Sequence, residues 1–196
     1  MKLKASVLSI LSAFVLLAVL AAPPVEAQSV CVKFGPPPPL GTTYGAPVAQ
    51  PPGAVALIEN GIIVRVYNFQ SIAGPLVFNR AYIDNAPFPF GSGQSIRTNN
   101  INLHFDFTAL GFRVSRVKLA FLDLGGYENF AVNGSPIKVG ELTALPPALA
   151  GVGIAVSSSP LPPPLSGKTG SVTLTGQVQT LLIGGQELWI DEVCAS

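Results

Sequence analysis

The sequence predicts an all-β protein: a two-sheet antiparallel β-sandwich of the jelly-roll type, with about ten strands. Its 20 glycines and 19 prolines fill about a fifth of the 196 positions, where about an eighth is usual. Charged residues make up only 11% of the chain, less than half the usual share, whereas 48% of residues are hydrophobic. Apolar and polar residues also alternate with a period of two over many short segments. These features indicate short strands joined by many turns around one apolar core.

The same composition excludes several classes of protein. Helical bundles and coiled coils are rich in charged residues, unlike this chain. Nucleic-acid-binding proteins need a strongly basic surface, whereas the formal net charge here is +1. Disordered chains lack the apolar residues needed for a core, and this chain has ample apolar content.

The first 27 residues have the pattern of an export signal peptide. Two lysines precede an uninterrupted run of apolar and small residues from 5 to 22, and two prolines end that run. Val25 and Ala27 then supply the small residues that a signal peptidase recognises. The alternative is a retained membrane anchor, because the run is close to the shortest length that spans a bilayer. We expect cleavage after Ala27, which leaves a single β-sandwich domain of residues 28–196, secreted or periplasmic.

The mature domain is formally neutral, with nine basic and nine acidic side chains once the signal peptide is removed. No net field then attracts nucleic acid or anionic lipid, so binding depends on local contacts. No later segment is long and apolar enough to span a membrane. We therefore expect no nucleic-acid partner, and no membrane span after signal cleavage.

The only two cysteines, Cys31 and Cys194, lie near the two ends of the mature domain. Two cysteines usually pair in an oxidising compartment, so we predict a disulfide that joins the termini. We expect the first and last strands to pair antiparallel at one sheet edge, which places Lys33 opposite Glu192 as a charge pair. A lipoprotein cysteine and a two-cysteine metal site are the alternatives. The first lacks the usual preceding residues, and the second lacks further ligands nearby.

The clearest strands are those in which apolar and polar residues alternate, at 101–107, 117–121 and 172–175. Proline runs at 36–39 and 162–164 cannot enter a sheet and are expected to be extended loops. The glycine-rich segments 91–93 and 184–185 are interpreted as turns. Only 140–150 has a weak helical pattern, and two prolines interrupt it.

Two Asn-Gly pairs predict hairpins, because this dipeptide accepts the positive φ angles of a tight turn. They are Asn60-Gly61 and Asn133-Gly134, and each lies between segments with the character of strands. The first turn is expected to fold 54–59 onto 62–69, and the second 128–132 onto 136–139.

Three segments carry a resemblance to a known type of protein. They are the opening CVKF and LGTTY (31–34 and 40–44), the central FLDLGGYEN and VNG (121–129 and 132–134), and the closing LWIDEVC (188–194). In these segments the chain resembles a loosely defined group of exported bacterial β-sandwich proteins, related in layout to jelly-roll carbohydrate-binding modules. The resemblance implies the fold over most of the mature chain.

Such modules often hold a structural calcium between the first and last strands, and Asp191 matches the acid of the last strand. The opening strand departs from that pattern, because Lys33 and Gly35 stand where an acid is expected. A lysine ammonium opposes a cation at that place. The resemblance therefore implies the fold more strongly than the metal.

Asp123 and Glu128 are a second candidate for calcium, because two acids flanking a Gly-Gly turn can supply oxygen ligands. The segment lacks the dense Asp and Asn periodicity of a dedicated calcium loop, so a plain β-turn is the alternative. No other cofactor is expected. A single histidine and two paired cysteines leave few ligands for zinc or another transition metal.

Catalytic patterns are weak throughout the chain. His104, the only histidine, shares the polar face of a strand with Asp106, but no nucleophile motif accompanies it, and a solvated strand residue is the simpler interpretation. A glycosidase needs two carboxylates across a cleft, and no local spacing singles out such a pair. We expect a protein that is not an enzyme.

The most polar segment, 91–100, offers Gln94, Arg97 and Asn99. Their donors and acceptors are of the types that recognise sugar hydroxyls or carboxylates. The alternative is a hydrophilic turn whose polar side chains bond to their own backbone.

Aromatic residues are the other candidates, because sugars stack on exposed rings. Tyr67, Tyr82 and Tyr127 lie at loop or strand-end positions, where they could form a platform. Trp189, the only tryptophan, is expected to pack in the core beside the disulfide.

From these residues we expect a secreted, non-catalytic sandwich that binds extracellular carbohydrate or a cell-surface protein. The alternative is a self-associating structural subunit of an envelope, matrix or filament. Neutral charge, positive mean hydropathy and few charged residues on the strands favour that alternative.

Overall fold

A computed structural model of the protein describes residues 28–196, and the predicted signal peptide lies outside this range. The described residues form two antiparallel sheets that enclose one main apolar core, as predicted. They contain sixteen strands: β1 (Val30–Val32), β2 (Thr43–Gly45), β3 (Val55–Glu59), β4 (Ile62–Gln70), β5 (Leu76–Val77), β6 (Arg80–Asn85), β7 (Gln94–Asn99), β8 (Ile101–Asp106), β9 (Arg116–Asp123), β10 (Glu128–Val132), β11 (Lys138–Gly140), β12 (Ala148–Leu149), β13 (Val152–Pro160), β14 (Lys168–Thr175), β15 (Thr180–Gly185) and β16 (Leu188–Ala195). The count exceeds the predicted ten because several strands are only two or three residues long, too short to show an alternating pattern.

Sheet A has nine strands in the order β12-β13-β14-β9-β16-β7-β6-β2, with β1 also paired to β16. Sheet B has seven strands in the order β11-β10-β15-β8-β4-β3, with β5 also paired to β4. Successive strands repeatedly cross between the sheets, as β8 to β9 and β9 to β10 do. Residues distant in sequence are therefore brought together at the ends of the sandwich.

The alternating segments face the core as predicted. On β8 the side chains of Ile101, Leu103 and Phe105 are fully buried, and on β9 those of Leu119 and Phe121 are buried as well. Alternation places the remaining side chains of each strand on the outer face of its sheet. Those outer faces carry four of the candidate binding residues: Tyr67, Tyr82, Arg97 and Asn99.

Both predicted hairpins form. Asn60 and Gly61 have φ angles of 50° and 83° and join β3 to β4, while Asn133 and Gly134 have φ angles of 50° and 70° and join β10 to β11. Positive φ at both central residues suits the right-handed twist of the strands that flank such a turn. The predicted turn at 91–93 and the proline loops also lie outside the strands.

The predicted turn at Gly184-Gly185 is wrong, because both glycines belong to β15 and are buried. Gly184 lies between Asn102 on β8 and Asn129 on β10. A Cβ atom at Gly184 would overlap with the carbonyl oxygen of Ile101. This glycine therefore allows the backbones of β15 and β8 to approach closely. Such an approach is a second reason, besides a turn, for a glycine in a strand.

Helix is confined to two single 3-10 turns within residues 28–196, at Ala46–Val48 and Leu142–Ala144. The second turn is the only helical structure within 140–150, the segment with the weak helical pattern. No helix in this part of the chain has the length and apolar character needed to cross a membrane.

The predicted disulfide is confirmed: Cys31 on β1 lies directly opposite Cys194 on β16, with their Cα atoms 4.0 Å apart. The expected place at a sheet edge is wrong, because β16 lies inside sheet A between β9 and β7. The bridge closes 163 residues of sequence around the sandwich.

The expected charge pair between Lys33 and Glu192 is also wrong. Among residues 28–196, ion pairs form only at Arg97–Glu187 and Lys168–Glu141. The chain leaves β16 after Val32, and the Lys33 amide donates instead to Glu59 Oε1 at 3.1 Å.

Glu192 lies in an irregular part of β16. Asp191 pairs with Ala120 but Cys194 pairs with Lys118, so β16 contains one residue more than β9 over this stretch. Glu192 has a positive φ of 50° there. This bulge reverses the alternation, so that Cys194 lies on the outer face while Val193 packs in the core.

Candidate functional site

The predicted binding residues do not share one surface. Tyr82 on β6 lies directly opposite Arg97 on β7, and both occupy the outer face of sheet A. Tyr67 lies on β4 of sheet B, on the opposite side of the sandwich. Tyr127 lies in the turn between β9 and β10, where its amide donates to Gln186 Oε1 at 3.2 Å. A single aromatic platform of these tyrosines is therefore not formed.

Gln94 and Asn99 share β7 with Arg97 but differ in orientation. Asn99 is on the same face as Arg97, and its Oδ1 accepts from the side-chain amides of Asn79 and Asn100, both at 3.0 Å. Gln94 is an odd number of residues from Arg97 and so lies on the other face, where its Oε1 is buried without a hydrogen-bond partner. Only Asn99 belongs with Tyr82 and Arg97.

Three neighbours hold the Arg97 side chain. Its Nη1 donates to the Tyr82 hydroxyl at 2.6 Å, and its Nη2 forms an ion pair with Glu187 Oε1 at 3.0 Å. The guanidinium carbon lies 4.4 Å from the ring centroid of Trp189, a cation–π geometry. The Arg97 side chain remains 22% exposed, so its outer surface faces solvent.

Trp189 is buried as expected, but outside the main core. It alternates with the core residues Leu188 and Ile190, so it lies on the outer face of sheet A. There it forms a second apolar cluster with Leu122 and Leu161. Its Nε1 donates to Asp84 Oδ2 at 3.3 Å. With 2% of its surface exposed, Trp189 supports Arg97 from beneath and offers no ring face to a ligand.

Arg80 extends the same surface. Its guanidinium carbon lies 5.3 Å from the centroid of the Tyr82 ring, and the residue is exposed. Within the described part of the chain, Arg80 has neither an ion pair nor a side-chain hydrogen bond. We refer to Arg80, Tyr82, Arg97, Asn99 and Glu187 as the Arg97 surface. Sequence reasoning identified three of its members but missed Arg80, the first residue of β6, and Glu187, which precedes β16.

The acids predicted for calcium separate into two places. Asp123, the last residue of β9, and Glu128, the first residue of β10, do meet across the Gly-Gly turn. Glu141, which follows β11, joins them, and one ligand oxygen from each lies within 4.8 Å of the others. Glu141 was missed, although the predicted second hairpin already brings its neighbourhood beside Glu128. The pairing of Glu128 with Gly140 does so directly.

Asp191 lies apart from this acidic cluster. Its Oδ2 accepts from the Ser92 amide at 2.6 Å and from the Ser92 hydroxyl at 3.1 Å, and its Oδ1 accepts from the Glu192 amide at 2.7 Å. Burial raises the pKa of Asp191, while the donors at Ser92 and Glu192 act in the opposite direction. These contacts make Asp191 an anchor for the loop before β7.

Burial dominates the electrostatics of the acidic cluster. Together with the neighbouring charges of Asp123 and Glu141, it raises the pKa of Glu128 to about 8. The Leu142 amide and the Lys168 ammonium act against this shift without cancelling it. Burial also raises the pKa of Asp123. Two carboxyl groups are thus held where ionisation is costly.

His104 and Asp106 lie on the outer face of sheet B, as predicted from their alternation. The His104 ring packs 5.4 Å from the Tyr67 ring, and burial lowers the pKa of His104. Asp106 Oδ1 accepts from the amide and the hydroxyl of Thr108, at 2.9 and 2.6 Å. Although burial opposes ionisation of Asp106, these donors hold its pKa below the usual value. The carboxylate is engaged by Thr108 and does not orient the imidazole, as an acid–base pair would require.

Comparisons of the chain with protein-family models, with curated proteins and with solved structures give no match. The likeness to carbohydrate-binding modules therefore rests on the sequence patterns.

Proposed function

We propose that this protein is an exported, non-catalytic β-sandwich that binds extracellular carbohydrate on the Arg97 surface. The observation that carries the proposal is the 2.6 Å hydrogen bond between Arg97 and Tyr82 on the exposed face of sheet A. These two residues were selected as ligand-binding candidates from the sequence, and they are direct cross-strand partners.

The Arg97 surface is organised before any ligand arrives. Tyr82, Glu187 and Trp189 fix the Arg97 guanidinium through a hydrogen bond, an ion pair and a cation–π contact. A ligand then loses less affinity to the ordering of flexible side chains. Placement on adjacent strands, and not on a mobile loop, has the same effect.

The groups on this surface match the hydrogen-bonding needs of sugars. The Tyr82 hydroxyl can donate and accept, the Asn99 side-chain nitrogen can donate, and the Glu187 carboxylate accepts. The guanidinium groups of Arg80 and Arg97 both lie over the Tyr82 ring, at 5.3 and 5.6 Å, which restricts sugar stacking on that ring. Recognition would therefore depend on hydrogen bonds and charge.

Arg80 indicates which sugars to test first. It is the exposed guanidinium of this surface that has no acidic partner among residues 28–196. A guanidinium binds a carboxylate with two parallel hydrogen bonds. Sugars that carry a carboxylate, such as uronic acids, are therefore the favoured ligand class.

Binding to an array of neutral and uronic acid oligosaccharides tests the proposal, followed by affinity measurement on any ligand found. We expect Arg80→Ala and Tyr82→Phe each to weaken binding about tenfold, because each removes a hydrogen-bonding partner from the surface. Tyr67→Ala is the matched control, since Tyr67 lies on the other sheet. Absence of any glycan ligand, or equal binding by all three variants, would reject the proposal.

Export and the lack of catalysis have separate support. The predicted signal peptide and the disulfide Cys31–Cys194 are both typical of proteins that enter an oxidising compartment. The engagement of Asp106 by Thr108 leaves His104 without an orienting carboxylate. The first two observations favour a secreted or periplasmic location. The contact of Asp106 favours a binding protein over an enzyme.

Self-association is a second candidate function, favoured by the edge of sheet B. β3 is the terminal strand of that sheet, and Ile58 on β3 is 64% exposed. An apolar edge strand with little charge is a template for pairing with a second copy of the chain. Sedimentation velocity over a range of concentrations would detect such assembly. We expect Ile58→Lys to abolish it and Ile72→Lys, at an equally exposed residue off the strands, to leave it intact; a monomer at all concentrations would reject this role.

A further inference from the structure

We propose that Asp123, Glu128 and Glu141 bind one calcium ion where the chain passes from sheet A to sheet B. The three carboxylates are not part of the Arg97 surface, although Asp123 pairs with Leu188, the neighbour of Glu187, and the proposal does not depend on carbohydrate binding. It rests on the spacing of the carboxylates, on the burial of Glu128 and on the charge of the cluster.

The spacing of the three carboxylates suits a single cation. Calcium binds oxygen ligands at about 2.3–2.6 Å, so two oxygens on one ion are at most about 5 Å apart. One carboxylate oxygen from each of Asp123, Glu128 and Glu141 lies within 4.8 Å of the others. All three therefore reach one ion without rearrangement of the backbone.

Glu128 gives an independent indication of a ligand. Only 1% of Glu128 is exposed, and neither of its buried side-chain oxygens has a hydrogen bond of regular geometry, although the Leu142 amide is close enough to favour ionisation. A buried polar group without a partner is costly, and native structures rarely keep one without a reason. Because these oxygens belong to the three-carboxylate cluster, a cation bound there would supply the missing partner.

The charge of the cluster is not balanced by the protein. Lys168 Nζ lies 2.5 Å from Glu141 Oε2, and no other ion pair involves the cluster within residues 28–196. When all three carboxylates are ionised, as they are when they bind a cation, they and the one ammonium leave two negative charges. A divalent cation balances them.

The ligand chemistry favours calcium over other metals. Every donor in the cluster is a carboxylate oxygen, which hard cations prefer, whereas zinc and copper favour histidine and cysteine. Magnesium requires a nearly ideal octahedral geometry and retains most of its water. Calcium accepts irregular arrangements of oxygens and bidentate carboxylates, which two free oxygens on Glu128 permit.

The position of the cluster gives the ion a structural role. Asp123 ends β9 in sheet A, Glu128 begins β10 in sheet B, and Glu141 follows the edge strand β11. An ion bound to all three would tie the two sheets together at this end of the sandwich. Such an ion stabilises the folded protein because it binds the native state and not the unfolded chain.

Thermal unfolding of chelator-treated protein, with and without 10 mM CaCl2, tests the proposal directly. We expect calcium to raise Tm by about 4 °C or more, and titration calorimetry to give one ion per chain. MgCl2 should have a smaller effect, and NaCl at matched ionic strength should have none. A rise with NaCl equal to that with CaCl2 would show an ionic-strength effect only and would overturn the proposal.

Variants connect the effect to the three carboxylates. Glu128→Gln and Glu141→Gln should each lose most of the calcium-dependent rise in Tm, and Glu141→Gln is the safer variant for folding because this side chain is exposed. Glu192→Gln is the matched control, since Glu192 lies outside the cluster. If Asp123 and Glu128 merely share a proton, calcium will leave Tm within about 1 °C and give no binding heat, and the proposal fails. Retention of the full rise in both cluster variants would also overturn it.

Discussion

The guanidinium carbon of Arg97 lies 4.4 Å from the ring centroid of Trp189 and covers the only tryptophan of the chain. The two residues are cross-strand partners on β7 and β16. The contact joins the proposed binding surface to the apolar cluster beneath it. Changes at Arg97 should therefore affect both stability and the environment of the tryptophan.

Replacement of Arg97 by alanine should shift the fluorescence of Trp189 to longer wavelength, because water then reaches the indole ring. We expect a stability loss of about 1–3 kcal/mol from the cation–π contact, the hydrogen bond to Tyr82 and the ion pair with Glu187. Emission spectra and urea unfolding measure the two effects. Arg80→Ala is the control and should leave the emission unchanged, because Arg80 contacts Tyr82 and not Trp189. An unshifted spectrum in Arg97→Ala would contradict the packing described.

The disulfide should make a large contribution to stability. The bridge between Cys31 and Cys194 closes 163 residues, which the chain-entropy model values at about 5 kcal/mol. Removal of native disulfides from secreted domains typically costs about 2–5 kcal/mol. Urea unfolding of a double variant, Cys31→Ser with Cys194→Ser, should show a loss in this range. A loss below about 1 kcal/mol would show that the bridge contributes little to stability. Free thiols in the oxidised protein would show that the bridge does not form.

Gly184→Ala should destabilise the protein by about 2–4 kcal/mol, because the added Cβ would overlap with the backbone of Ile101 inside sheet B. Gly111→Ala is the matched control: its added Cβ meets nothing within 4 Å, and its backbone needs no positive φ. Thermal or urea unfolding of both variants checks this prediction. Similar stabilities of the two variants would indicate that β15 and β8 are farther apart.

The only histidine provides a pH dependence. Burial holds the pKa of His104 below its usual value of 6.5, so the unfolded chain binds a proton more readily than the folded protein. The stabilising contribution is complete above pH 6.5 and is lost as the pH falls below that value. Asp106 on the same strand opposes the shift and Arg65 on β4 strengthens it, while Tyr67 packs against the ring.

The urea midpoint of the wild type should therefore fall relative to that of His104→Gln between pH 7.5 and pH 5.5. The comparison with the variant cancels the titration of the carboxyl groups, which both proteins share. An NMR titration of the imidazole should give a pKa below 6.5. Parallel midpoints of the two proteins over this range would show that burial does not affect His104.

The hairpins and the main core followed from local sequence. Asn-Gly at 60–61 and 133–134 selects a backbone conformation that few other pairs adopt, so the turn is fixed by two residues. Alternation at 101–107 likewise assigns each side chain to a face, because successive residues in a strand point in opposite directions. These rules require no information about distant strands.

The errors occurred where a distant strand determines the outcome. Gly184 was interpreted as a turn residue. A glycine is needed there because the backbone of Ile101, 83 positions earlier in the chain, leaves no room for a Cβ atom. The contacts of Asp191 were also out of reach of local sequence, because Ser92, which donates to its carboxylate, is 99 residues away. Glu192 was placed opposite Lys33 by extending the register of the cysteine pair, but β1 ends at Val32.

The amino-acid sequence by itself determined an all-β chain with two hairpins, a buried alternating core and a covalent link between its ends. Those features depend on backbone preferences, on the two-residue period of a strand and on the presence of just two cysteines. Only the tertiary structure decided that Glu141 joins Asp123 and Glu128, that Arg97 lies over Trp189, and that Tyr67 lies on the other sheet. Strand order and register set those neighbours, and both result from packing of the whole sandwich rather than from any local segment.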